Sequence, residues 1–396
     1  MAQSQTSTRW GFRWFDAVGS VLWIVLFCLV IVLVLTDPAV HSVVISYSYG
    51  AERFLATLPM YDLQSTAGFV YLPASAVLYV PFYEFGPYLG DVLWRLAGFA
   101  VLTYAAFRQT RILDDEKPLW LISCAFFLAL PLSAGAVRNG QATILLTGAC
   151  WLLTLVAIES KPMRTALWAA IGLASKPTAI VMVLLAGGMR PRLIPVLVVA
   201  IAAVMLLPYP FAPHQYVTGL YREFFGLMDI VSLKTQVRFT PADFTAPFTT
   251  LGIAMPAVVA SAVRIVAALA TLSAALWFLH NGEKRSAGLA IFILAAYYMC
   301  VFNPRVEGNT YAMLALPFGM AISLMFRKQG MTALPIVLGT LLFLGGLSGI
   351  ESHVHKATNL WFQAVITTPI FIGIIWWLWR QTRTTEATAA SVRAPT

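Results

Sequence analysis

Residues that could bind an anion stand at the edges of apolar segments. Arg138, Asn139 and Gln141 lie directly before one apolar run. Lys176 precedes a proline inside another. Arginine offers a phosphate a bidentate fork, and lysine offers it a point charge. Because charged groups are costly at membrane depth, these residues indicate binding of a membrane-embedded anion such as a lipid phosphate.

Other polar residues are expected on the same face of the membrane. Asn303 and Arg305 belong to the motif NPRVEGN between two apolar runs, and Arg53 follows the first run. Positive charge on an outer face runs against the positive-inside rule, so these residues need an explanation. Simpler explanations stay open: Arg138 and Gln141 could cap a helix start, and Arg305 could extend to the membrane interface.

The elements that carry these residues are predicted to cross a membrane. Of 396 residues, 59% are hydrophobic and 11% are charged, whereas about a quarter of the residues in a soluble globular chain are charged. Apolar runs of roughly 16–22 residues recur from end to end, without the alternating polarity of a membrane barrel. The sequence therefore predicts an all-α, polytopic transmembrane helix bundle.

The net charge of +9 is distributed as in a membrane protein. Most Lys and Arg lie in short connectors such as 108–111, 159–164 and 326–330, which we predict to be cytoplasmic together with both termini. This placement argues against a nucleic-acid partner. The four cysteines all fall inside apolar segments without metal-ligand or disulfide spacing, so no metal or cofactor is expected.

Two apolar stretches cannot be single crossings if all basic connectors share one side. Residues 68–86 contain two prolines and predict a juxtamembrane or re-entrant element on the outer face. Residues 165–188 are predicted to break at Lys176 into a hairpin of two short helices. The predicted number of helical membrane passes is then roughly eleven or twelve. The predicted parts are one transmembrane domain (1–383) with a first outer loop (36–88) and a long outer loop (209–249), followed by a disordered tail (384–396).

The order of these features resembles that of the polyprenyl-phosphate-sugar-dependent glycosyltransferases of the GT-C superfamily, specifically glycosyltransferase family 87. YGAERFLATLPMYD and GFVYLPASAVLYVPF are similar to the family's first outer loop, and GQATILLTGACWLL is similar to its Gly-Gln helix start. AAIGLASKPTAIVMVLL resembles its Lys-Pro hairpin, and NPRVEGNTYAMLALP resembles its late outer loop. The pieces are spread over most of the chain.

The resemblance implies a GT-C-like fold and an inverting sugar transfer. An outward cavity would hold a polyprenyl-phosphate sugar, and a first-loop carboxylate would deprotonate the acceptor hydroxyl that attacks the anomeric carbon. Together with the residue types above, it gives the following substrate-binding candidates: Arg53, Tyr71, Arg138, Asn139, Gln141, Lys176, Asn303 and Arg305.

One departure from the family pattern concerns the base. Family members place an Asp shortly after the first helix, where this chain has SVVISYSY, which contains no acid. The nearest carboxylates are Asp37 on one side and Glu52 and Asp62 on the other. Glu52 or Asp62 is therefore the candidate catalytic base.

The leading hypothesis is a transferase of a mannose-like hexose or pentose in the bacterial inner membrane, with its active site facing outside. Its partners would be the polyprenyl-phosphate donor, a lipid or glycan acceptor and membrane lipids. Alternatives are a non-catalytic polyprenyl-lipid-binding partner in glycan assembly and a lipid or solute translocator. A translocator predicts a polar path to the cytoplasmic side, but apart from Lys176 few polar residues lie inside the apolar runs.

Overall fold

The computed structural model describes residues 17–37, 42–61, 68–113, 117–233, 242–283, 285–347, 358 and 361–393. Within these ranges the chain forms helices and no strand, which confirms the predicted all-α polytopic bundle. The α-helices are α1 (Val18–Thr36), α2 (Val44–Leu55), α3 (Pro73–Tyr83), α4 (Gly86–Leu113), α5 (Pro118–Arg138), α6 (Ala142–Ile158), α7 (Pro162–Ser175), α8 (Ile180–Met189), α9 (Ile194–Leu206), α10 (His214–Leu233), α11 (Ala246–Thr250), α12 (Ala257–Asn281), α13 (Ala287–Val301), α14 (Ala312–Gln329), α15 (Ala333–Gly345) and α16 (Phe362–Arg393).

Seven helical segments of the described residues are long and apolar enough to cross a membrane, and four shorter apolar helices accompany them. The number of passes stays a prediction. The seven segments are Val18–Thr36, Gly86–Leu113, Pro118–Arg138, Pro191–Phe211, Ala257–Asn281, Gly308–Gln329 and Phe362–Arg383. The four shorter helices are Ala142–Ile158, Pro177–Met189, Ala287–Val301 and Ala333–Gly345.

The shorter helices include the most buried ones. Every residue of α6 from Ala142 to Ala157 is buried, and Trp151 stacks on Phe292 of α13 at 5.0 Å between ring centroids. Seventeen residues extend only about 25 Å, less than the roughly 30 Å of a bilayer's hydrocarbon core. Since the other helices enclose α6, its two ends need not reach water through lipid.

Contacts between connectors identify two ends of the bundle. At the first, which we call the basic end, Arg108 pairs with Glu159 at 2.5 Å and Lys328 lies 3.5 Å from Glu283. At the opposite end, the loop end, the backbone N–H of Val43 before α2 donates to the carbonyl of the turn after α5, at 2.9 Å. The basic connectors after α4, α6 and α12 thus lie near the end opposite the turn between α5 and α6.

Both stretches that the sequence excludes as single crossings are interrupted in the structure. Helix α3 has 11 residues and packs against α2 and α4 at the loop end. Helix α7 ends at Ser175, and a 3₁₀ turn begins at Pro177. Lys176 between them is extended, with φ −150° and ψ 136°, because a following proline disfavours the helical conformation. The predicted hairpin is therefore confirmed.

The end of the chain differs from the sequence expectation. Helix α16 continues to Arg393, whereas the composition predicts a disordered tail from residue 384. This segment contains alanines and a glutamate, which are good helix formers and allow the preceding helix to continue. The boundary of the membrane domain at residue 383 stays a prediction.

Candidate functional site

A lysine at the tip of the α7–α8 hairpin meets the first turn of α6. The Lys176 ammonium donates a hydrogen bond to Thr143 Oγ1 at 2.9 Å, and its Nζ lies 5.9 Å from the centroid of the Tyr71 ring. The N-terminus of a helix carries partial positive charge. The ammonium and the α6 N-terminus therefore concentrate positive potential at one place.

Two tyrosine hydroxyls complete this arrangement. The backbone N–H of Ala142, the first residue of α6, donates to Tyr47 Oη at 3.0 Å, and Tyr47 Oη lies 3.4 Å from Tyr71 Oη. That N–H has no partner within its own helix, so Tyr47 caps α6. We call Lys176, Thr143, Tyr47 and Tyr71 the lysine site. The segment SVVISYSY, which lacks the expected acid, thus supplies a hydroxyl to it.

The ionisation of the lysine site is set mainly by burial. Burial raises the pKa of Tyr47 to about 12 and the pKa of Tyr71 well above its usual value. Both phenols are therefore neutral near pH 7 and act as hydrogen-bonding groups. Burial lowers the pKa of Lys176, and the Glu307 carboxylate raises it. A protonated Lys176 can bind an anion.

A buried ion pair lies beside the lysine site, on α4. Arg95 Nε donates to Asp91 Oδ1 at 2.6 Å, and both side chains are almost completely buried. The Arg95 guanidinium also donates to the carbonyl oxygens of Val137 and Arg138, at 2.6 and 2.7 Å. These carbonyls lie at the C-terminus of α5, where helical partners are missing and a cation is favoured. The pair therefore caps α5.

The sequence reasoning did not predict the ion pair between Asp91 and Arg95, although their spacing indicates one. An acid and a base four residues apart in an apolar helix indicate an i,i+4 ion pair. A second pair, in which Arg264 Nη2 donates to Asp243 Oδ2 at 2.7 Å, has no comparable signal because its members are far apart in sequence. Arg264 Nε also donates to the Phe302 carbonyl at the C-terminus of α13.

The sequence candidates before α6 do not converge on the lysine site as a group. The Arg138 side chain is exposed. Asn139 Oδ1 is buried and has no hydrogen-bond partner within the described residues. Gln141 is buried, and its Oε1 accepts from Thr143 Oγ1 at 3.5 Å. Of these three, Gln141 is the one joined to the lysine site.

A mostly apolar pocket lies at the start of α6. Its lining includes the apolar residues Phe27, Gly98, Phe99 and Ile144. The polar side chains of Gln141 and Arg95 also line it. Gln141 thus stands between the lysine site and this pocket. The pocket itself is small, and the anion-binding chemistry lies on the lysine side.

Two of the first-loop candidates, Glu52 and Arg53, lie on α2. Glu52 is exposed, and the Arg53 guanidinium lies 5.1 Å from the centroid of the Tyr49 ring. The Arg53 carbonyl accepts from Tyr216 Oη of α10 at 3.1 Å, which ties the amphipathic helix of the long loop to α2. Asp62 lies outside the described residues.

The late-loop candidates form a turn at the loop end. Asn303 Oδ1 accepts from the backbone N–H of Arg305 at 3.0 Å, so Asn303 shapes the turn. Arg305 is exposed. The backbone N–H of Ala242 donates to the Val306 carbonyl at 2.8 Å, and this bond anchors the turn to the end of the long loop.

The turn between α5 and α6 requires glycine at position 140. Gly140 has φ +64°, and a Cβ there would overlap the Val44 side chain and lie 2.9 Å from Arg95 Cζ. Gly140→Ala is therefore expected to destabilise the protein by about 1–3 kcal/mol, measured by thermal unfolding in detergent. Gly252→Ala is the matched control, because Gly252 has φ +76° but nothing within 4 Å of a Cβ. Equal losses in both variants would contradict the crowding described here.

The arrangement as a whole can bind an anion at a helix N-terminus with a lysine and neutral hydroxyls. Among the residues that the structure describes, no group of three or more His, Cys, Asp or Glu side chains is placed to hold a metal ion. The loop end is thus suited to a phosphate group presented from the membrane or from the solvent at its surface.

Comparison with protein families gives one match. The sequence model described as glycosyltransferase family 87 matches residues 69–304, more than half of the chain. The matched part contains Tyr71, Thr143 and Lys176, and it ends shortly before Arg305. No curated protein and no solved structure matches the chain.

Proposed function

The chain belongs to glycosyltransferase family 87 and is a membrane glycosyltransferase, and we propose that its sugar donor is a polyprenyl phosphate-linked hexose or pentose. The acceptor is a lipid or glycan at the outer surface of the bacterial inner membrane. The observation that carries this proposal is the contact of Lys176 with Thr143 at the N-terminus of α6. A phosphate ester bound there would meet an ammonium and a helix dipole of matching sign.

The physical chemistry of the site supports a lipid-borne phosphate. The lysine site lies at the N-terminus of the buried helix α6, within a bundle that has seven helical segments long and apolar enough for a membrane, so a donor anchored in lipid would reach it by lateral diffusion. In the transfer, the acceptor oxygen bonds to the anomeric carbon as the bond from that carbon to the phosphate oxygen breaks. The phosphate leaves with the electron pair, and Lys176 stabilises its growing charge.

The orientation is part of the proposal. The basic end, with Arg108, Arg285 and Lys328, faces the cytoplasm together with both chain termini. The loop end, with the lysine site, then faces outward. Gln141 and Asn139 contact sugar hydroxyls or orient the cations, and Arg138 and Arg305 meet charged groups at the outer surface.

The test of the function is direct transfer. Purified protein in lipid nanodiscs is incubated with radiolabelled polyprenyl-phosphate hexoses and pentoses and with a bacterial lipid extract. The proposal expects labelled sugar to appear in a product other than the donor, from at least one donor. Unchanged donor in every combination would overturn the proposal and leave a non-catalytic lipid-binding role.

The base of the reaction is proposed to be a carboxylate of the loop end, and the sequence offers Glu52 and Asp62. Glu52→Gln and Asp62→Asn remove the proton-accepting group but keep the side-chain shape. If one of these acids is the base, its variant is expected to lose about 10²–10⁴-fold in turnover while remaining folded. Normal initial rates of both variants would exclude them.

A further inference from the structure

A carboxylate outside the family match stands at the start of a turn that packs against α5, the helix that precedes α6. Glu307 is the N-cap of the 3₁₀ turn Gly308–Tyr311, and its side chain is exposed at the loop end. Two residues on, Asn309 Oδ1 lies 2.9 Å from where a Cβ of Gly135 on α5 would stand. The turn therefore lies against the end of α5, next to the N-terminus of α6.

The position of Glu307 is fixed from two sides. Its side chain accepts the backbone N–H of Thr310, and the Thr310 hydroxyl accepts the backbone N–H of Glu307 at 3.4 Å. The preceding residue, Val306, is held by the backbone N–H of Ala242. A carboxylate has about four lone-pair sites, so a single N–H leaves it able to accept a proton.

Glu307 acts electrostatically on three groups that come from separate parts of the chain. Burial raises the pKa of Tyr47 and Tyr71 and lowers that of Lys176, and the Glu307 carboxylate raises all three. Coulomb effects decline with distance and are screened by solvent. An effect on all three groups therefore agrees with a position of Glu307 at the mouth of the lysine site.

Glu307 and Lys176 nevertheless remain apart. Both are described by the structure, and they form no direct ion pair, in contrast to Arg264 and Asp243. The carboxylate is exposed and the ammonium is half-buried. A donor bound between these two groups would have its phosphate on the ammonium side and an incoming hydroxyl on the carboxylate side.

The other described candidate base has a less suitable position. Glu52 is exposed on α2, whereas the buried face of that helix carries Tyr47. Five residues along an α-helix amount to a rotation of about 140°, so the two side chains point to different sides. The side of α2 that faces the lysine site is therefore not the side that carries Glu52.

From this geometry we infer that Glu307 is the general base of the sugar transfer. It would take the role that the resemblance gives to a first-loop Asp in family members. The inference rests on the proposed function. The acceptor hydroxyl gives its proton to the Glu307 carboxylate while its oxygen bonds to the anomeric carbon, and the phosphate departs toward Lys176. The carboxylic acid then releases the proton to water.

The test compares variants in the transfer assay described above. Glu307→Gln keeps an acceptor for the Thr310 N–H but cannot take a proton at neutral pH. Its kcat is expected to fall about 10²–10⁴-fold, with little change in the KM for the donor. Glu307→Ala is expected to be equally slow and to gain activity when formate is added, because a small carboxylate can replace the missing base.

The control is Glu283→Gln, the same chemical change at the basic end, which is expected to transfer sugar at the normal rate. Thermal unfolding verifies that each variant is folded, and Glu307→Asp serves if the Gln variant does not fold. Normal kcat in Glu307→Gln, or no response of Glu307→Ala to formate, would overturn the inference and leave the proposed function standing. Absence of transfer by the unmodified protein would overturn both.

Discussion

Replacement of Lys176 with methionine is expected to lower sugar transfer about 10²- to 10³-fold, a loss typical of removing one preorganised group that stabilises developing charge. Methionine has a similar length, but it offers neither a charge to the leaving phosphate nor a donor to Thr143 Oγ1. The measurement is the initial rate with a saturating polyprenyl-phosphate donor. Rates within twofold of the unmodified protein would show that the phosphate does not bind at this lysine.

Stability separates this effect from misfolding. The Lys176 ammonium is costly to bury, so its removal is expected to leave the thermal unfolding temperature unchanged or higher. Lys328→Met is the matched control at the basic end, where Lys328 lies 3.5 Å from Glu283. It is expected to retain full transfer and to lose at most about 1 kcal/mol, as is usual for an exposed pair. Equal loss of transfer in both variants would point to a nonspecific cause.

The second large effect is expected for stability, from Arg95→Met. This change leaves the buried Asp91 carboxylate unpaired and removes donors from two carbonyl oxygens at the end of α5. Breaking a buried ion pair from one side costs about 3–5 kcal/mol. Reversible unfolding in mixed detergent micelles measures the loss.

Two further variants identify the cause of that loss. Asp91→Leu combined with Arg95→Met removes both charges and is expected to recover a substantial part of the stability. Arg108→Met breaks the more exposed pair with Glu159 and is expected to cost at most about 1 kcal/mol. A double variant no more stable than Arg95→Met would assign the loss to the missing carbonyl contacts on α5.

The elements of the fold were largely predictable because their signals are local. Long apolar runs specify the spanning helices, and the proline after Lys176 specifies the break in the α7–α8 hairpin. The shortness of α3 followed from counting basic connectors on one side.

The composition of the site was only partly predictable. Lys176 was found because a lysine in an apolar stretch is expensive, and Tyr71 was found through the family resemblance. Their partners Thr143 and Tyr47 are ordinary residues in their own segments, and no local pattern distinguishes them. The Arg138 side chain, which stands out most among the cations of the sequence, is exposed. Arg95, by contrast, is buried and donates a hydrogen bond to the backbone carbonyl of Arg138.

The sequence by itself determined that this protein is a helical membrane bundle, where its helices break and which polar residues are costly enough to require a reason. These properties depend on hydropathy and backbone conformation, which act over a few residues. Only the tertiary structure decided that Lys176 meets Thr143, 33 positions away, and that the turn capped by Glu307 packs against the end of α5. A site of this kind is formed by non-local contacts, and their energies depend on helix packing rather than on any single segment.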